Sequence, residues 1–191
     1  MTRALTNLEY TVLGLVATGA ADSGYAVRKL IQETPLIVYS DSPGSVYPAI
    51  RRLERLGLLR GVATRDSRRR RTLDLTTAGR RALLAWLNMP VDVADLTSGD
   101  RAPELKLSFM SDVLPERLPG FLNEFTIASR AQTAAISAVE RSMHDKLSPS
   151  GRIALGLGLA VLQCRTRYLE RLRSPAPTKV GRRGARAGRA T

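Results

Sequence analysis

Between residues 43 and 59 the apolar and polar positions separate once the segment is wound at 100° per residue. Val46, Ala49, Ile50, Leu53, Leu56 and Gly57 fall on one side; Tyr47, Pro48, Arg51, Arg52 and Arg55 fall on the other. An inward apolar stripe is ordinary for a helix. An outward face with three arginines, and an aromatic side chain at its start, is not. Ser45 is placed to cap this helix, and Pro48 sits in its first turn, where a missing N–H costs little. The same spacing recurs upstream. Leu5, Leu8, Val12 and Leu15 mark a first helix capped by Thr6 or Asn7 and halted by the loop at 19–24. Val27, Leu30 and Ile31 mark a second over 25–34, ended by Pro35, and residues 36–39 form a short apolar run before a turn at 41–44.

Past Gly57 the period shortens to two. Residues 58–64 and 70–75 predict a hairpin, with Leu73 and Leu75 alternating against Thr72 and Asp74. Residues 76–87 return to a capped helix, on which Trp86 either packs against the hairpin or meets the next part of the chain. Three helices, a hairpin and a fourth helix complete a first domain over 1–88, followed by a linker over 89–102. Beyond it the pattern is helical throughout, over 104–113, 116–146 and 149–173, with Ser148 capping the last and Pro149 at its first position. Leu118, Leu122, Phe125, Ala128, Gln132, Ala135, Val139 and Met143 make a 3-4 seam on the long helix. Ile153, Leu157, Ala160, Cys164, Tyr168 and Leu172 make another on the last. Two long amphipathic helices beside a short one cannot bury both faces alone, so residues 103–173 predict a helical dimerisation domain. Its contacts are assigned to Ile153, Leu157, Cys164, Tyr168 and Leu172, with Cys164 read as a small core residue.

Charge sharpens this picture. The chain carries 30 Lys and Arg against 17 Asp and Glu, a formal net charge of +13. The excess is +7 over residues 1–87, only +1 over 88–173, and +5 over 174–191, where no acid occurs. Neutral in the middle and cationic at both ends, the chain predicts a polyanion-binding front domain and a disordered basic tail. A cationic helix followed by a hairpin whose tip carries Arg68, Arg69, Arg70 and Arg71 is the layout of a winged helix-turn-helix. The helix is expected in the major groove and the wing beside the backbone or minor groove. DNA-binding roles are accordingly assigned to Ser45, Tyr47, Pro48, Arg51, Arg52, Arg55 and the four wing arginines.

Enzymatic chemistry finds little to work with. His144 and Cys164 are the only residues of their types, there is no glycine-rich phosphate loop, and no metal-ligand or nucleophile motif is present. No catalytic residue, metal or cofactor is therefore expected. A single cysteine, no apolar run near 18 residues and no signal-peptide pattern give the expectation of a cytoplasmic protein without a membrane partner.

Five stretches carry a resemblance. They are Leu8 to Leu15, Gly24-Tyr25, Gly44 to Leu59 with its Gly-Ser-Val-Tyr-Pro opening, Leu73 to Gly79, and more weakly Glu104 to Met110. Over nearly all of residues 5–87 the chain resembles the PadR family of bacterial transcriptional regulators. It departs from that family's pattern at the wing turn, Asp66-Ser67-Arg68, at Thr72-Leu73 in the second strand, and at Tyr168-Leu169 in the last helix. The resemblance implies a winged-helix domain, a helical dimerisation arm, and repression relieved by a small aromatic or apolar effector. The expected partners are then double-stranded DNA, as an inverted-repeat operator, and a second copy of the chain. The competing expectation is an architectural or general nucleic-acid-binding protein that needs no effector.

Overall fold

The computed structural model describes residues 3–33, 43–63, 71–99 and 101–173. The described chain is mainly helical with one two-stranded antiparallel sheet. Its centre is α1 (Asn7–Ala17), which packs against α3 (Val46–Arg55), α4 (Thr77–Asn88), α6 (Ala102–Val113) and the second strand. Thr6 sets where α1 begins. Its hydroxyl accepts the Glu9 N–H at 3.3 Å, and the Glu9 carboxylate accepts the Thr6 N–H at 2.8 Å, a reciprocal capping box. Leu8, Val12, Leu13 and Leu15 are buried on α1, each worth about 1.5–3 kcal/mol of burial.

Helix α2 (Gly24–Glu33) follows, with Val27 fully buried and the Ser23 hydroxyl accepting the Ala26 N–H. A short 3-10 turn over Pro43–Ser45 leads into α3 (Val46–Arg55), whose Val46, Ala49, Ile50 and Leu53 enter the core as the periodicity requires. Two features of α3 correct the sequence reading. Ser45 stands at the cap position in helical geometry, and its side chain makes no cap hydrogen bond. Gly57 is exposed and lies beyond the helix at φ +68. There it closes a Schellman motif, with the Gly57 N–H donating to the Glu54 carbonyl and the Leu58 N–H to that of Leu53, both at 2.9 Å. A residue with a Cβ is strained at that φ, which is why the helix stops where glycine occurs.

Strands β1 (Leu59–Ala63) and β2 (Arg71–Leu75) pair antiparallel with Leu59 opposite Leu75 and Gly61 opposite Leu73. Leu59 and Leu73 are buried, and the Leu73 N–H reaches back to the Asp22 carbonyl at 2.7 Å, fixing the sheet to the loop before α2. Thr76 then caps α4 (Thr77–Asn88), accepting the Gly79 N–H at 3.0 Å.

The segment expected as a linker is built into the fold. Val91 is buried, the Met89 carbonyl accepts from the Lys106 ammonium at 3.0 Å, and the Asp92–Asp95 capping box starts α5 (Val93–Thr97). Residue Gln132 donates to the Leu96 carbonyl. Helix α6 (Ala102–Val113) lays Phe109 on α1, and the core runs without a break from Leu87 through Met110 to Phe121 and Phe125. Trp86 lies at this junction: its ring stacks on Tyr10 at 4.5 Å between centroids, with the Lys106 ammonium 5.7 Å from its centroid. Of the two placements open to Trp86, the structure takes the second.

Helix α7 (Leu118–Met143) and helix α8 (Pro149–Arg173) form an antiparallel pair. Ser148 caps α8 through the Gly151 N–H at 3.1 Å. The pair is held by Arg130–Glu170 at 2.6 Å, by the Thr133 and Thr166 hydroxyls at 3.1 Å, and by Arg165 donating to Gln132. Burial pushes the Arg165 guanidinium below its usual range, with Glu104 opposing and Arg101 assisting. Among the described residues no helix is long and apolar enough to cross a membrane.

Candidate nucleic-acid interface

Helix α3 offers its outer side to solvent because its other side is committed to the core. Tyr47, Pro48, Arg51 and Arg55 are exposed there, and Ser45 at the helix start is half-buried. Tyr47 is held at the edge of the domain, its ring against Gly24 at the start of α2. Arg71, opening β2, reaches across to α3 and pairs with Glu54 at 2.7 Å while its own side chain remains largely exposed. Two open clefts adjoin it. One, of about 510 Å³, is lined by Pro48, Arg51, Glu54, Arg55 and Arg71; the other, of about 530 Å³, lies between Tyr25, Tyr47 and Arg71. The helix and the wing therefore present one continuous surface with Arg71 at the join.

Arg52 departs from the expectation. At 20% side-chain exposure it turns off the outer face and into the domain, where its guanidinium donates to both oxygens of the Glu9 carboxylate, itself 4% exposed. The helical wheel places Arg52 beside Arg55, but an uncompensated carboxylate buried on α1 draws it inward. Arg68, Arg69 and Arg70 lie outside the described residues. In the hairpin, Arg60 pairs with Asp74 at 3.1 Å, a solvent-exposed cross-strand pair of small energetic weight.

A second surface lies on α8. Ile153 is 73% exposed, Leu157 67% and Tyr168 54%, with Leu172 and Cys164 also exposed. Cys164 is thus no core residue of the single chain. Val161, which a heptad-like seam passes over, belongs to the same face at 61% exposure. With it the stripe repeats at eleven residues, Ile153-Leu157-Val161 and then Cys164-Tyr168-Leu172. Only Thr166 and Leu169 of α8 are buried, against α7. The α7 seam divides likewise: Phe125, Ala128 and Gln132 are buried, while Ala135, Val139 and Met143 are exposed. His144 is exposed, 3.8 Å from Glu140.

Residues 12–85 match the family model described as the transcriptional regulator PadR-like family. Among solved structures the chain is similar to the PadR-like transcriptional regulator BC1756 from Bacillus cereus, at 17% identity over 91% of this chain and 97% of that one, with a TM-score of 0.43. It is similar at 18% identity to Bacillus subtilis PadR in complex with operator DNA, over 90% and 98% of the chains with a TM-score of 0.42. It is similar at 17% to the same regulator in complex with p-coumaric acid, over 91% and 97% with a TM-score of 0.41. No curated protein matches the chain.

Proposed function

We propose, from the match of residues 12–85 to the transcriptional regulator PadR-like family, a homodimer that binds an inverted-repeat operator through α3 and the wing. The observation that carries this reading is the outer face of α3, where Tyr47, Arg51 and Arg55 stand free of the core beside the wing residue Arg71. A helix presenting arginines at i and i+4 can place both at base edges or phosphates of one major groove, and an arginine fork matches the two acceptors of guanine. Ser45 and Pro48 bring the helix start close to the backbone, and Arg68 to Arg71 contribute phosphate contacts from the wing. The exposed apolar stripe of α8 supports the dimer, because leucine, isoleucine and tyrosine at such exposure, in one line, make a surface that soluble chains cover.

The regulatory form we propose is a repressor released by a small aromatic or apolar effector. Its support is connectivity: α6 rests on α1, and α1 holds α3 through Glu9, so a shift in the arm reaches the DNA-facing helix within two contacts.

The test is the ratio of affinities for the DNA upstream of the chain's own gene and for a scrambled duplex, at one fixed salt concentration. A ratio of ~10³ or more is expected. Arg51→Ala and Arg55→Ala should each cost about 1–3 kcal/mol on the preferred duplex, relaxing one base pair where the arginine reads a base. A ratio near unity would favour the architectural reading. Variants that bind like wild type would remove α3 from the interface.

A further inference from the structure

Arg52 lies in the middle of the helix proposed to meet DNA, and its guanidinium is spent elsewhere. Nη1 donates to Glu9 Oε1 at 2.6 Å and Oε2 at 2.5 Å, and Nη2 donates to the Arg3 carbonyl at 2.6 Å. The same carboxylate accepts the Thr6 N–H that completes the α1 capping box. One buried acid therefore closes the start of α1 and grips α3 at once. Both helices also enter the common core with apolar side chains, Val12 and Leu13 on α1 and Ile50 and Leu53 on α3. Apolar contact is non-directional and lets one helix rotate or slide on another; a guanidinium held through Nη1 by a carboxylate and through Nη2 by a backbone carbonyl does not.

We propose that Arg52 is a positioning residue for DNA recognition. Latched onto Glu9, it fixes the rotation of α3 against α1 and so decides where Arg51 and Arg55 reach. It does not itself contact DNA. Leaving Glu9 to meet a phosphate would strand a carboxylate that is 4% exposed, which is a strong penalty against the switch. The inference rests on the DNA-binding reading of α3.

The experiment uses the full chain, the duplex that the wild type enriches from a randomised pool, and a scrambled duplex, each over a series of salt concentrations. Glu9→Gln is the informative variant. Glutamine completes a capping box through its one amide oxygen, so α1 keeps its cap while Arg52 loses both the charge and one of the two acceptor oxygens that hold it. Arg52→Lys keeps a charge able to meet phosphate and loses the fork. Both variants are expected to bind the enriched duplex about tenfold or more weakly, the worth of roughly one base contact, with scrambled-duplex affinity and its salt slope unchanged.

If Glu9→Gln binds the enriched duplex as well as wild type or better, or if Arg52→Met lowers the salt slope by about 0.9 on both duplexes, Arg52 contacts DNA and the proposal is wrong. Loss of both affinities together with the melting transition would show that the pair holds the fold rather than the setting of α3, and would equally overturn it. A wild-type chain that enriches no sequence would instead sink the DNA-recognition reading beneath it.

Discussion

Gly79→Ala tests the joint on which the hairpin and α4 meet. Gly79 is the third residue of α4, and a Cβ built there lies 2.0 Å from the Leu58 carbonyl oxygen and 2.9 Å from its carbonyl carbon. Both are backbone atoms, so relief requires a whole element to move by roughly an ångström. That carbonyl accepts the Thr76 N–H at 3.1 Å, Thr76 Oγ1 donates to the Gly57 carbonyl at 2.7 Å, and the same hydroxyl caps α4 through Gly79. Displacing α4 costs the cap, about 1 kcal/mol, and a net backbone hydrogen bond of similar size. Overpacking adds about 1–3 kcal/mol, and alanine's helix preference returns about 1 kcal/mol. The expected outcome is a loss of about 2–4 kcal/mol. Urea unfolding at one fixed protein concentration measures it as a lower midpoint at unchanged m-value. Gly156→Ala on α8 supplies the baseline, since its added Cβ meets nothing within 4 Å and should gain about 0.5–1 kcal/mol. If Gly79→Ala is as stabilising as Gly156→Ala, α4 is not seated on Leu58 and the hairpin–α4 geometry is wrong.

Leu157→Glu puts a charge in the α8 stripe while leaving the α7 contacts intact, so sedimentation should show monomers that have lost preference for the operator; an unchanged dimer would move the interface elsewhere. Tyr10→Phe concerns alkaline stability. Burial, and then the neighbouring Glu9, raise the Tyr10 pKa above its usual value, so the phenol is favoured neutral in the folded chain. Its contribution is complete at neutral pH and is lost upward from about pH 10, where the unfolded chain ionises first. The variant should melt with a shallower fall between pH 9 and 11 than wild type, and an identical fall refutes the assignment. Deleting residues 174–191 should flatten log K against log salt and weaken specific and scrambled duplexes by similar factors; a change in the preferred sequence would show that the tail reads bases.

Helix positions were legible because their ends are written in side chains. Thr6, Thr76 and Ser148 cap where their hydroxyls predict, and the φ of Gly57 terminates α3. What could not be read was any partner distant in sequence. The stretch around Val91 looks like a linker because Met89-Pro90 and Ser98-Gly99 punctuate it. It is ordered by Lys106, Glu124 and Gln132, which lie on α6 and α7. Val161 was missed for a different reason. A seam drawn at 3.5 residues takes Ala160, whereas the exposed stripe follows an eleven-residue repeat, closer to the period of an unstrained helix.

The same blindness to distant partners governs how the cationic face is weighed. Five arginines of α3 and the hairpin are described: Arg51, Arg52, Arg55, Arg60 and Arg71. Three of them pair with carboxylates, Arg52 with Glu9, Arg60 with Asp74 and Arg71 with Glu54, and the composition of the segment cannot show it. Arg51 and Arg55 form no ion pair among the described residues, so on the proposed reading α3 leaves two arginines per chain open to phosphate. Residues 174–191 carry five basic residues and no acid. At about 0.9 in salt slope per phosphate met, the tail can outweigh the helix in salt dependence. Base discrimination needs donors held in register with base edges, which is the property that deleting residues 174–191 tests. On the proposed reading, salt-dependent affinity then draws on the tail as well as α3, and specificity on α3. The arginine count of residues 43–71 bears on the former, while the latter depends on how firmly α3 is held.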